Sequence, residues 1–159
     1  MEKMARNSME ANALEKYGVL MSYLQYENSM YWERSNFYLI ASTALFGIAA
    51  ANIPAPSSVS FHKVVALFVM SGAGLYLSVL WHQSVKSGEY WIEHWHSLLK
   101  KLEPEVFGET HVLRGFEMSG KKRISARRVQ KRTLILFYWL WLLLLAYAIV
   151  IAGYWVLGA

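Results

Sequence analysis

The sequence contains no cysteine, and charged residues make up only 17% of its 159 positions. Without cysteine, the chain can have neither a disulfide framework nor a thiolate metal site. Soluble domains usually carry about 25% charged residues, whereas here 55% of the residues are hydrophobic and clustered in runs. This composition argues against a water-facing fold, and the length suits one domain rather than two sizeable ones.

Short catalytic motifs are also missing from the sequence. We find no serine nucleophile elbow, phosphate-binding loop or dinucleotide-binding glycine pattern. Four potential metal ligands, Glu89, Glu93, His94 and His96, lie close together. They lack HExxH spacing and a cysteine partner, and a solvated helix face explains them equally well. The sequence therefore predicts a protein that is not an enzyme and has neither a cofactor nor a metal site.

No cleavable targeting segment is visible at the N-terminus. Charged residues are interspersed through 1–35, and no short apolar run there ends in a cleavage site. We therefore expect the first hydrophobic run to act as a signal anchor that remains in the protein.

Three apolar runs are long enough to cross a bilayer. A transmembrane helix needs about 20 apolar residues to span a hydrocarbon core of roughly 30 Å. The runs predict membrane spans at 36–55, 62–82 and 133–158, and the first two are separated by a short loop rich in proline and serine. The predicted fold is thus an all-α integral membrane protein with three transmembrane helices.

The distribution of lysine and arginine indicates how these spans are oriented. Four basic residues precede the first span, and only Lys63 lies between the first and second. The segment between the second and third spans holds Lys86, Lys100, Lys101, Arg114, Lys121, Lys122, Arg123, Arg127, Arg128, Lys131 and Arg132. Because positive segments stay in the cytoplasm, we expect a cytoplasmic N-terminus and an external C-terminus.

Helical periodicity continues beyond the first two spans. Spacings of three and four in 1–35 and in 83–103 predict two cytoplasmic helices that extend the spans into a helical hairpin, with Pro104 as the natural stop of the second. The first pattern comprises Leu14, Tyr17, Met21, Leu24, Asn28, Tyr31, Ser35 and Tyr38, and the second Gly88, Trp91, Trp95, Leu98 and Leu102. We expect Met21, Leu24, Trp91 and Trp95 to pack this stalk, either within one subunit or between subunits.

A basic loop is predicted at 104–132. Its basic residues at the membrane surface would attract anionic lipid headgroups, each contributing on the order of 1 kcal/mol, or would simply hold this end inside. The cluster comprises Lys121, Lys122, Arg123, Arg127, Arg128, Lys131 and Arg132. Since aromatic residues are not interleaved with these charges, nucleic-acid binding is not expected.

The second span carries a polar stripe formed by Ser71, Gly74, Ser78 and His82. Residues at this spacing share one helix face. Small and hydroxyl residues permit close helix packing in membranes, whereas the same stripe repeated in an oligomer could line an aqueous path. Both interpretations remain open from the sequence.

The layout of a stalk helix, a span hairpin and a long helix bearing Trp91, Trp95 and Leu98 resembles SLATT-like bacterial membrane effectors. This resemblance covers about Leu14 to Leu102 and is one of architecture, from which the third span departs. It implies oligomerisation, a bacterial inner-membrane location and a channel or membrane-permeabilising role, and it carries over no site residue.

Together these patterns predict an oligomeric membrane channel or pore-forming protein, with a defence or signalling effector as one form of it. The alternative is a non-conducting membrane adaptor or scaffold that docks a cytoplasmic partner. Expected partners are the lipid bilayer, including anionic lipids, further copies of the chain and a cytoplasmic protein.

Overall fold

A computed structural model describes residues 2–54, 60–108 and 126–158, and the side chains of 11–54, 60–108 and 127–157. The described part is helical: α1 spans Glu2–Ala51, α2 spans Phe61–Phe107 and α3 spans Ala126–Gly158. The all-α class predicted from the sequence is confirmed.

The helix ends follow from backbone chemistry. At the end of α1 the amides of Asn52 and Ile53 bond the carbonyls three residues back, and Pro54, which has no N–H to continue the helix, follows directly. At the end of α2 the amide of Gly108 bonds the Pro104 carbonyl. Gly108 has φ +60°, the left-handed conformation that closes many helices.

The sequence predicted that the second helix would stop at Pro104. Helix α2 instead continues to Phe107. A proline in the last helical turn removes only one backbone bond, and the glycine that follows supplies the actual stop. The predicted loop at 104–132 is also helical at its far end, because α3 begins at Ala126. Residues 109–125 of that loop lie outside the described part of the chain.

The chain divides into two compact units that each draw on α1 and α2. Unit 1 comprises Met1–Glu33 and Val85–Arg123, and unit 2 comprises Arg34–Ser84 and Ile124–Ala159. In unit 1 the ring of Tyr17 meets Phe107, and that of Tyr23 stacks on Trp95 at 5.1 Å. Within unit 1, a residue later in α1 therefore meets a residue earlier in α2.

Some of the residues buried in unit 1 are neighbours of the predicted ones rather than the predicted ones themselves. Tyr31 is buried as predicted and lies directly on Gly88. On α1, however, Ala13 is buried while Leu14 is 56% exposed. On α2, Ile92 is buried while Trp91 is 42% exposed. The α2 face against α1 is thus centred one position further along the chain, and the indoles lie beside it.

The core of unit 2 is built around the Trp141 side chain of α3, which is fully buried. Its indole meets Phe46 of α1 edge-on, with ring centroids 5.5 Å apart. The surrounding cluster is completed by Ala49, Leu67, Leu144 and Ala148. All three helices therefore contribute to one apolar core.

Two of the helices are long and apolar enough to cross a membrane. These are α2, over Phe61–Phe107, and the stretch Arg127–Leu157 of α3. Helix α1 is not among them within the described residues. Its charge-free stretch from Ser35 to Ala51 contains the polar residues Asn36, Ser42 and Thr43.

Candidate functional site

The serines of the α2 stripe lie inside unit 2. Ser71 and Ser78 are buried, and each hydroxyl donates to a carbonyl one turn back in the same helix, Ser71 to Leu67 at 2.7 Å and Ser78 to Gly74 at 2.9 Å. Gly74 lies directly under the indole of Trp141, where a Cβ would overlap the ring. Gly74 therefore packs against α3, and both serine hydroxyls bond within α2.

His82, the fourth residue of the stripe, is exposed. It borders a crevice of about 240 Å³ between α2 and α3. The crevice is lined by Ser78, Val79, His82, Leu134, Ile135 and Tyr138. His82 is thus exposed whereas Ser71 and Gly74 are buried, although all three share one face of the helix.

Polar groups on the other two helices also enter the core of unit 2. The side-chain amide of Gln130 donates a hydrogen bond to the Ser35 hydroxyl, and both residues are buried. Ser42 is fully buried, and neither its hydroxyl nor the indole N–H of Trp141 has a hydrogen-bond partner among the described residues. Buried polar groups are costly in an apolar surrounding. The helical pattern of the sequence included Ser35, but it did not predict the burial of Ser42 and Gln130.

Helix α1 turns a second face away from this core. Asn36, Ile40, Thr43 and Gly47 follow each other at spacings of four and three, which places them on one face. All four are exposed, and a Cβ at Gly47 would meet no atom within 4 Å. We call these four residues the outer stripe of α1. The sequence shows the spacing of these four residues. It does not show that their face is exposed, because that depends on which other face of α1 packs against the core.

The exposed surface of α3 has a different character. Five of its exposed side chains within the apolar run are Ile135, Leu136, Leu143, Ile149 and Val150, each more than half exposed. Such a surface suits contact with lipid tails. The outer stripe of α1 instead presents an amide, a hydroxyl and bare backbone around the exposed Ile40, a mixture that suits water or another protein surface.

Unit 1 carries an open groove of about 590 Å³ between α1 and α2. Its floor is apolar and its rim bears charges of both signs. The lining residues are Asn12, Glu15, Lys16, Val19, Leu20, Leu98, Lys101, Leu102 and Glu105. Glu15 and Lys101 therefore border the same groove.

An array of stacked rings lies on the same helices of unit 1. Trp95 stacks on Tyr23 on one side and on Trp91 on the other, the latter at 6.2 Å. Tyr23 is half exposed and Trp91 is 42% exposed. Of the predicted stalk residues, Met21, Leu24 and Trp95 are half-buried, and only Trp91 is exposed.

One titratable pair is buried in unit 1. Burial, and secondly the charge of Glu103, raises the pKa of Tyr17. Glu103 is 2% exposed in spite of its charge. Because a raised folded-state pKa favours the neutral phenol, its contribution to stability is present below the unfolded pKa and lost as the pH rises above about 10.

This pair makes a testable prediction at alkaline pH. We expect Tyr17→Phe, which has no phenol to ionise, to lose less thermal stability than the wild type between pH 9 and pH 11. The control is Tyr26→Phe, since Tyr26 lies on the same helix and is 60% exposed. Equal alkaline losses in Tyr17→Phe and the wild type would contradict the assignment.

The remaining predicted residues are dispersed. Glu93 and His94 are exposed, while Glu89 and His96 are half-buried, and no cluster of three metal-ligating side chains occurs among the described residues. Of the basic cluster, Arg128, Lys131 and Arg132 are exposed in the first turns of α3, and Arg127 beside them is half-buried. The predicted lipid-binding residues Lys121, Lys122 and Arg123 lie outside the described part.

A comparison with protein families matches residues 14–150 to a model described as the octameric membrane protein family. No curated protein and no solved structure matches the chain. The match covers most of the chain, including the described parts of both units from residue 14 to residue 150.

Proposed function

Because the chain belongs to the octameric membrane protein family, we propose that eight copies form a membrane channel whose aqueous pore is lined by the outer stripe of α1. The membrane setting and the assembly of several copies follow from the family. The observation that supports conduction is the exposure of Asn36, Thr43 and Gly47 on a face that does not pack within the subunit.

The proposed topology has three membrane spans. Helices α2 and α3 have the length and apolarity of independent spans. We propose that α1 crosses beside them, shielded from lipid, which accounts for its weaker apolar character. The charge distribution favours a cytoplasmic N-terminus and an external C-terminus, with α1 and α2 continuing into a cytoplasmic hairpin. The resemblance to SLATT-like effectors favours a bacterial inner membrane.

Helix dimensions show what a ring of eight α1 helices would enclose. Neighbouring axes about 10 Å apart would lie roughly 13 Å from the centre of such a ring. A helix radius of about 5 Å then leaves an opening roughly 16 Å across. Rings of Asn36 and Thr43 would hydrate this opening, and the ring of Ile40 between them would form an apolar band in its wall.

The groove of unit 1 and its ring array are proposed as the surface where neighbouring subunits meet. A closed ring joins two different surfaces of each subunit, and aromatic residues are enriched at the centres of protein interfaces. The rim alternates in sign, with Glu15 beside Lys16 and Lys101 near Glu105. Because every copy of the chain carries charges of both signs, such a mixed rim can pair with opposite charges on a neighbouring copy.

Replacing one exposed indole tests this surface. We expect Trp91→Ala to weaken the octamer by about 2 kcal/mol per interface, or about thirtyfold in its association constant, because interface indoles are typical hot spots. Native mass spectrometry in detergent across a dilution series measures the loss of octamer. Trp32→Ala is the matched control, because Trp32 also belongs to unit 1 and is 39% exposed.

The outcomes of this experiment separate two functions. Loss of the octamer in Trp91→Ala alone supports the subunit contact. If both variants remain octameric, the groove is not the subunit contact and is free for a cytoplasmic partner, as in the alternative function of a non-conducting adaptor.

Conduction is tested directly by reconstitution. We expect octamers in vesicles of mixed zwitterionic and anionic phospholipid to release trapped potassium faster than protein-free vesicles, and to give discrete current steps in planar bilayers. Absence of current at both voltage polarities, with intact octamers present, would contradict the channel and favour the adaptor. The resemblance to SLATT-like effectors, and with it a defence role, remains a prediction.

A further inference from the structure

The crevice between α2 and α3 is at the level where both helices change from charged to apolar. On α3 the last charged residue is Arg132, and no charge follows it. On α2 the charge-free run after Lys63 continues past His82 to Lys86. In a membrane protein this change marks the boundary between headgroups and hydrocarbon, so the crevice opens at the cytoplasmic surface of the bilayer in the proposed topology.

The crevice combines an apolar floor with polar groups at one end. Val79, Leu134 and Ile135 supply aliphatic walls, while the exposed His82 and the Tyr138 side chain, 40% exposed, supply hydrogen-bonding groups. Its volume of about 240 Å³ is below the roughly 300–1,000 Å³ of pockets that enclose compact ligands. A slender, partly exposed ligand fits this shape better.

Positive charge lies on the same face of α3 as the crevice. Lys131 precedes Leu134 by three residues and Tyr138 by seven, and Arg127 precedes Lys131 by four. Residues at these spacings share one face of a helix. Lys131 is exposed, so its ammonium group can reach a phosphate held above the crevice. Arg132, next in sequence and also exposed, points about 100° away around the helix.

We propose that this crevice is a binding site for an anionic phospholipid. One acyl chain lies along Val79, Leu134 and Ile135, and the headgroup phosphate lies between the side chains of Lys131, His82 and Tyr138. The charge complementarity of the α3 face selects a lipid with net negative charge. The proposal requires the membrane setting but not conduction, so it stands or fails separately from the channel.

The experiment uses phosphatidylglycerol and phosphatidylcholine as probes. The purified octamer in detergent is titrated with each lipid, and bound lipid is counted by native mass spectrometry. We expect the wild type to retain phosphatidylglycerol in preference to phosphatidylcholine, and Lys131→Gln to weaken that retention about fivefold, the effect of one surface charge. Arg132→Gln, the matched comparison on the same helical turn, should weaken that retention less, because its side chain points away from the crevice.

A second pair of variants tests the crevice itself. Val79→Trp fills it, whereas Val65→Trp places the same indole on the same helix outside it; the two valines are 44% and 40% exposed. We expect only Val79→Trp to lose phosphatidylglycerol. Equal retention of both lipids by the wild type, or equal behaviour within either pair of variants, would overturn the proposal.

Discussion

Gly47→Phe is expected to reduce potassium flux through the reconstituted octamer about tenfold, because eight phenyl rings would narrow the proposed pore between the α1 helices. Gly47 faces open space in the subunit, and a Cβ added there would meet no atom within 4 Å. The substitution therefore leaves the subunit fold intact, and the loss of flux reports on the pore alone. Single-channel conductance in planar bilayers and potassium release from vesicles both measure it.

Gly72→Phe is the matched control for the pore. Gly72 is an exposed glycine in α2, and it too has no atom within 4 Å of a Cβ. We expect this variant to conduct like the wild type, since it places the same ring on a face outside the proposed pore. Native mass spectrometry of both variants shows whether the octamer persists.

The result also distinguishes a pore from a helix contact. If Gly47→Phe conducts normally while remaining octameric, the outer stripe does not line the path. If the octamer dissociates instead, the stripe is a packing surface between subunits, as small residues often are in membranes.

Gly74→Ala is expected to destabilise the folded subunit by about 2 kcal/mol, because the added methyl group would overlap the indole of Trp141 in a filled core. Trp141 is fully buried and belongs to the central cluster of unit 2, so its ring cannot move into solvent. The expected observation is a lower midpoint of thermal unfolding in detergent, followed by intrinsic fluorescence.

Two further variants make this prediction specific. Gly72→Ala, two residues away in open space, should be neutral or slightly stabilising because alanine favours helix. Gly74→Ala combined with Trp141→Phe should recover part of the loss, since the smaller ring leaves room for the methyl group. A Gly74→Ala protein as stable as Gly72→Ala would show that the helices can separate at no cost.

The sequence predicted the helices better than their contacts. Charge-free runs correctly indicated two long apolar helices, because hydropathy depends on composition alone. The predicted face of α2 failed at Trp91, which is exposed while Ile92 is buried. Trp91 has the same helical spacing as residues that do pack between the helices. Periodicity alone therefore does not show whether its indole lies within the helix contact or beside it.

The candidate site shows the same limit. The spacing of Ser71 and Ser78 indicates a stripe, but only the structure shows that both serines are buried and that Gly74 between them lies under Trp141. The outer stripe of α1 became visible only as the face left over after packing. Which face of a helix meets protein depends on partners distant in sequence, and one sequence does not encode that choice in a local pattern.

The contact between Gly74 and Trp141 has a consequence for the family's sequences. A ring that lies directly on a glycine couples the sizes allowed at the two positions, since their combined volume must fill one space. Relatives with a larger residue at position 74 should carry a smaller one at position 141, and the same compensation should link Gly88 with Tyr31. An alignment of family members should therefore show covariation at both pairs of positions, one pair in each unit.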